Sequence, residues 1–125
     1  MAKIQRFEEL IAWQKAMDLA VDAYRMTRKR PLSRDFALTD QMHRAAISVP
    51  SNIAEGFDRG TRAEFHRFLS IAKGSCAELK TQIYLADRLE YLDANTTEAM
   101  LQQADEVSRI VGGLRTKVAA QRAKR

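Results

Sequence analysis

Pro50 stands inside the clearest helical pattern of the chain, and any fold must absorb it. Ala45, Ala46, Val49, Ile53 and Phe57 recur at three- and four-residue steps, which marks the apolar face of a helix. Arg44, Ser48, Asn52 and Glu55 recur at the same steps and form a second, polar stripe. A proline at this point leaves the carbonyl of Ala46 without its helical donor, which costs roughly 3 kcal/mol in an unsupported helix. The spacing therefore predicts a kink at Pro50, with the hydroxyl of Ser48 or the amide of Asn52 bridging the freed backbone groups. Ser75 and Glu78, on or near the seam of the next helix, are the expected partners of the stripe. Two uses stay open for Arg44, Ser48, Asn52, Glu55, Ser75 and Glu78. They stabilise the kink and tie two helices together, or they build a small-molecule or nucleic-acid site.

Four helices account for the chain. The first is expected over residues 7–28, with Leu10, Trp13, Met17, Ala20, Val21 and Tyr24 as its apolar face. Trp13 reads as packing, with ligand or base stacking as the alternative. Pro31 stops this helix, and Ser33 and Thr39 both qualify as caps of the second, over 38–57, so residues 35–38 are open to being a separate turn. Thr61 and Glu64 form a capping box that starts a long third helix over 61–92, about 45 Å at 1.5 Å per residue. Its seam is Phe65, Phe68, Leu69, Ala72, Cys76, Leu79, Ile83, Ala86 and Leu89, and Gly74 reads as a place of close helix approach. Asn95 or Thr96 caps the fourth, over 96–118, whose heptad is Thr97, Met100, Ala104, Val107, Val111, Leu114 and Val118. Gly112 and Gly113 interrupt that heptad at a cost of about 2 kcal/mol, which fits a bend or close packing against another subunit. Residues 119–125 read as a frayed basic tail.

This organisation is one all-α domain spanning 1–125, an antiparallel up-down four-helix bundle with a proline-kinked second helix and a long third helix. Two prolines, five glycines and 46% apolar residues agree with it. No stretch at the start reads as a signal peptide and no apolar run reaches membrane-spanning length, so a cytoplasmic protein with no membrane partner is expected. The single cysteine, Cys76, reads as a small buried hydrophobe. Two histidines are too few for the Glu-x-x-His pairs of a two-metal bundle, and no phosphate loop, nucleophile elbow or zinc spacing is present. The expectation is no catalytic residue, no metal and no cofactor.

The formal charge is +5, from 21 Lys and Arg against 16 Asp and Glu. It is concentrated. Arg25, Arg28, Lys29, Arg30 and Arg34 form one run without an acid, and Arg109, Arg115, Lys117, Arg122, Lys124 and Arg125 form another, while the remainder is acidic on balance. Such runs suit phosphate binding by RNA or DNA without sequence readout. They also suit the negative ends of helix dipoles, in which case they stay solvated.

The stretches RAAISVPSNIAEG (44–56) and EFHRFLSIAKGSCAEL (64–79) resemble a bacterial family first noticed as products of intervening sequences in large-subunit ribosomal RNA genes. Accessory proteins of diversity-generating reverse transcriptases are similar in fold. The resemblance runs from Phe7 to about Leu114. It implies a four-helix protomer, a ring-shaped homopentamer and no catalytic residues. Its association with RNA tilts the reading towards a nucleic-acid-binding homo-oligomer, with Arg25, Arg28, Lys29, Arg30, Arg34, Arg115, Lys117, Arg122, Lys124 and Arg125 as the contacts. The alternative is a structural or protein-interaction scaffold with a protein partner.

Overall fold

The computed structural model describes residues 3–123, with side chains as far as Gln121. Four helices make up the fold: α1 (Ile11–Thr27), α2 (Phe36–Asp58), α3 (Arg62–Arg88) and α4 (Ala94–Ala123). Short 3-10 turns at Phe7–Glu9 and Leu32–Arg34 precede α1 and α2, and no strand occurs among the described residues. The protein is an all-α four-helix bundle in which α1 packs on α2 and α4, and α3 packs on the same two. Along α2 and α3, Ser48 meets Ser75 and Gly56 meets Phe68. Along α3 and α4, Ser70 meets Arg115, Lys73 meets Ser108, Lys80 meets Asp105 and Asp87 meets Thr97. In both pairs residue numbers rise on one helix as they fall on the other, as antiparallel neighbours meet.

The helix ends differ from the sequence expectation for local reasons. Leu10 is extended (φ −73°, ψ 126°) and buried, so the first helix divides into a 3-10 turn and an α-helix starting at Ile11 instead of running through from Phe7. Asp35, rather than Ser33 or Thr39, caps α2, its Oδ1 accepting the Leu38 N–H at 3.0 Å. Thr39 is buried and donates to the carbonyl of Phe36. The third helix stops at Arg88, short of residue 92, because Glu90 takes a left-handed conformation (φ 62°). The Tyr91 N–H then closes on the Ala86 carbonyl and the Glu90 N–H on that of Asp87, both at 2.9 Å, a helix-ending motif that usually uses glycine. Asp93, rather than Asn95 or Thr96, caps α4 through the Thr96 N–H at 2.7 Å. Val118 does not end α4, which continues to Ala123.

The core follows the expected seams in three helices. Leu38, Met42, Ala45, Val49 and Ile53 are buried on α2, Phe68, Leu69, Ala72, Cys76, Leu79, Ile83 and Ala86 on α3, and Met100, Ala104, Val107, Val111 and Val118 on α4. Of the face expected on the first helix, Leu10 and Ala20 are buried, but the rest of the α1 core face is Ala12, Ala16, Leu19, Ala23 and Met26; Met17 and Val21 are exposed, and Trp13 and Tyr24 are half-buried. Leu89, expected at the end of the α3 seam, is also exposed. Gly56, not Gly74, is the close approach: a Cβ there would lie 2.5 Å from Phe68 Cβ, whereas nothing stands within 4 Å of one on Gly74.

Candidate nucleic-acid interface

The two basic runs sit at opposite ends of the bundle. The first follows α1, where Arg28 closes the helix and Lys29, Arg30 and Arg34 continue through the turn ahead of α2, all exposed. The same end holds the α3–α4 connection, because the Tyr91 hydroxyl donates to Asp35 Oδ2 at 3.0 Å. Arg25 pairs loosely with Asp22 at 3.6 Å. Arg28, Lys29, Arg30 and Arg34 make no ion pair among the described residues. Lys29 lies near enough to help lower the carboxyl of Asp93, which is held down mainly by the Thr96 backbone N–H.

The second run lies towards the end of α4, about 35 Å further along that helix at 1.5 Å per residue. Arg115 is half-buried and donates to Ser70 Oγ of α3 at 3.3 Å. Lys117 is exposed and shares a hollow with Lys3 and Arg62, two cations that no run in the sequence pointed to, because they come from separate segments. The α4 backbone carries Arg122, and Lys124 and Arg125 lie outside the described residues. One protomer therefore presents two separate cationic ends.

The polar stripe forms a directional chain of hydrogen bonds. The Asn52 amide donates to the carbonyl and to the hydroxyl of Ser48, each at 2.8 Å. Ser48 Oγ lies 2.8 Å from Ser75 Oγ, which bonds the Ile71 carbonyl at 3.1 Å. Since Ser75 gives its one proton to Ile71, Ser48 must donate to Ser75, which orders the chain Asn52, Ser48, Ser75, Ile71. The amide thus bonds the carbonyl of Ser48, and neither it nor the Ser48 hydroxyl bonds that of Ala46, which Pro50 leaves without its helical donor. The charged members stand apart: Glu55 pairs with Arg59 at 2.7 Å, and Arg44 and Glu78 are exposed with no ion pair among the described residues. The chain joins α2 to α3 and brings no two titratable groups together.

The remaining reactive groups are quiet. Cys76 is fully buried, and burial pushes its thiol up to about 11 despite the opposing pull of Lys73 and Lys80. His43 stacks on Tyr24 with centroids 3.9 Å apart, and its Nε2 lies 2.7 Å from Thr27 Oγ1. Thr27 donates its own proton to the Tyr24 carbonyl, so the imidazole donates from Nε2. Among the described residues no cluster of His, Cys, Asp or Glu could hold a metal ion.

Four helices, two cationic ends and a polar seam joining α2 to α3 describe a four-helix bundle protein. The model of the 23S rRNA-intervening sequence protein family matches residues 8–113, and the chain belongs to that family. Its fold is similar to the crystal structure, at 1.70 Å resolution, of a protein of unknown function from the S23 ribosomal protein family of Bacteroides thetaiotaomicron VPI-5482. The two are 22% identical with a TM-score of 0.76, over 83% of this chain and 97% of that one. No curated protein matches the chain.

Proposed function

We propose that this protein is a non-enzymatic homo-oligomer, a pentamer as the resemblance implies, that works in the cytoplasm and binds nucleic acid, RNA in particular, through its cationic ends. The observation that carries this reading is the exposed quartet Arg28, Lys29, Arg30 and Arg34, which has no ion-pair partner among the described residues. Cations free of acids can neutralise phosphates and release their counterions, which gives affinity without sequence selection. Arg25 borders the quartet, and Arg115, Lys117, Lys3 and Arg62 supply the far end. Arg122, Lys124 and Arg125 join that far end on sequence grounds. An oligomer repeats each end, so contacts that are weak singly add to useful avidity. The preference for RNA rests on the family's name, an analogy that reaches beyond the chemistry of the residues.

Gel-shift titrations with labelled single-stranded and duplex RNA test this. Replacing Arg28, Lys29, Arg30 and Arg34 together by alanine should weaken binding roughly tenfold or more at low salt while helix content holds. Equal binding by the variant and the parent would contradict the assignment of this end. The second reading, a protein-interaction scaffold, is favoured by Arg25 and Arg28 lying where an α1 dipole wants positive charge in any case. Its signature is a folded protein that binds no RNA even at low salt.

A further inference from the structure

At the end of the bundle away from the arginine quartet, the segment ahead of α1, the α2–α3 connection and the last turns of α4 enclose a hollow of about 640 Å³. Phe57, Phe65 and Leu114 give it apolar walls, all three half-buried, and Lys3, Arg62 and Lys117 stand among them. No aspartate or glutamate lines it among the described residues. Mostly apolar walls with a few charged groups, in a space of that size, are the usual make-up of a small-molecule site.

The three cations are not used by the protein itself. Arg62 is half-buried, yet it makes neither an ion pair nor a side-chain hydrogen bond among the described residues, and nearby Glu64 is shared by Arg59 at 4.0 Å and Arg67 at 3.5 Å. Lys3 and Lys117 likewise have no ion pair among the described residues. Glu9 lines only the adjoining hollow, where it accepts the Gln5 backbone N–H at 3.3 Å. Cations beside apolar walls keep their charge through hydration alone, and an anionic group can take over that role with charge-assisted hydrogen bonds. The walls narrow the rest of the ligand. Phe57 and Phe65 meet edge to face, with centroids 5.7 Å apart and planes at 85°, so the pair forms no parallel slot for a flat base. Ring edges and the Leu114 methyls suit a flexible hydrocarbon chain.

We propose that this hollow binds a small amphipathic anion, a medium-chain carboxylate, with its tail against Phe57, Phe65 and Leu114 and its head among Lys3, Arg62 and Lys117. The site goes beyond the RNA reading, which is carried by the quartet at the opposite end, so either can fail without the other. A carboxylate held here neutralises cations that this end would otherwise offer to phosphate.

Isothermal titration of the 125-residue protein with hexanoate, octanoate and decanoate, below micelle-forming concentrations, tests it. Saturable binding is expected, tightening by up to about fourfold for each methylene that enters the hollow. Decanol, which lacks the charge, and inorganic phosphate, which lacks the tail, should both bind more weakly than decanoate. Lys3→Gln, Arg62→Gln and Lys117→Gln together should weaken decanoate binding roughly tenfold or more. Far-ultraviolet circular dichroism checks that this variant stays helical. Replacing Arg28, Lys29, Arg30 and Arg34 by alanine removes more charge but should leave decanoate binding as it is in the parent. No saturable binding, affinity indifferent to chain length, or undiminished binding by the folded triple variant overturns the site. Equal weakening in the triple and alanine variants reduces the effect to net charge and overturns it as well. Phosphate bound as tightly as decanoate would hand the hollow to phosphate groups, nucleic acid included, with the same consequence.

Discussion

At Asn52 one amide satisfies two acceptors on Ser48 and so orients the hydroxyl that reaches Ser75 on the neighbouring helix. Asn52→Ala should therefore cost about 1–2 kcal/mol, the usual range for breaking a partly buried hydrogen-bond network. A thermal melt reads this as a fall of several degrees. An unchanged melting temperature would show that the seam contributes little. Glycine gives a contrasting pair. Gly56→Ala forces a Cβ against Phe68, and overpacking of about 1–3 kcal/mol outweighs the gain in helix propensity, whereas Gly113→Ala meets open space and should stabilise by up to about 1 kcal/mol. Urea titrations of both variants should move the midpoint in opposite directions. The sequence marked Gly74 for the close approach because small residues flank it. Only the placement of Phe68 across the seam singles out Gly56, and no local spacing encodes that.

The buried seams of α2, α3 and α4 were legible because each helix has one dominant apolar stripe, with Ile47, Ile71, Tyr84 and Leu85 exposed outside it. The α1 helix has two. Its larger residues, Trp13, Met17, Val21 and Tyr24, outweigh alanines in any periodicity reading, yet Ala12, Ala16 and Ala23 are the ones that let α1 sit close to its neighbours. The helix ends were less legible, since Asp35 and Asp93 compete with nearby serine, threonine and asparagine as caps and Glu90 occupies a position where glycine would be the signal. Capping makes a pH prediction. The Asp93 carboxyl is held below its ordinary 3.8, first by the Thr96 N–H. Its folded value is thus lower than its unfolded one, so its stabilising effect is complete above about pH 4 and fades as pH falls through the lowered value. Asp93→Ala should lower the urea midpoint clearly near pH 6 and progressively less as pH falls below about 4, and a loss that does not change with pH would contradict the cap. Within α3, Cys76 should resist thiol reagents near pH 8 until the protein is denatured, because burial holds it protonated. Rapid labelling of native protein would mean that the α3 seam opens.

For the whole molecule, the four-helix architecture was readable from helix count and connection length, and the family from two long ungapped stretches. The placement of charge was not. A linear sequence gives two basic runs, and only the course of the chain sends them to opposite ends of the bundle and adds Lys3 and Arg62 to one of them. The most direct test is a fluorescence titration of labelled RNA with the 125-residue protein at a series of salt concentrations, with oligomer mass recorded alongside. If four cations at one end each meet a phosphate of a single strand, the logarithm of the binding constant should fall with the logarithm of salt at a slope near −3 per protomer engaged, from about −0.7 per phosphate. Binding with that dependence is the expected result. Absence of binding at low salt, or binding indifferent to salt, would contradict the account and leave the cationic ends as solvated helix termini.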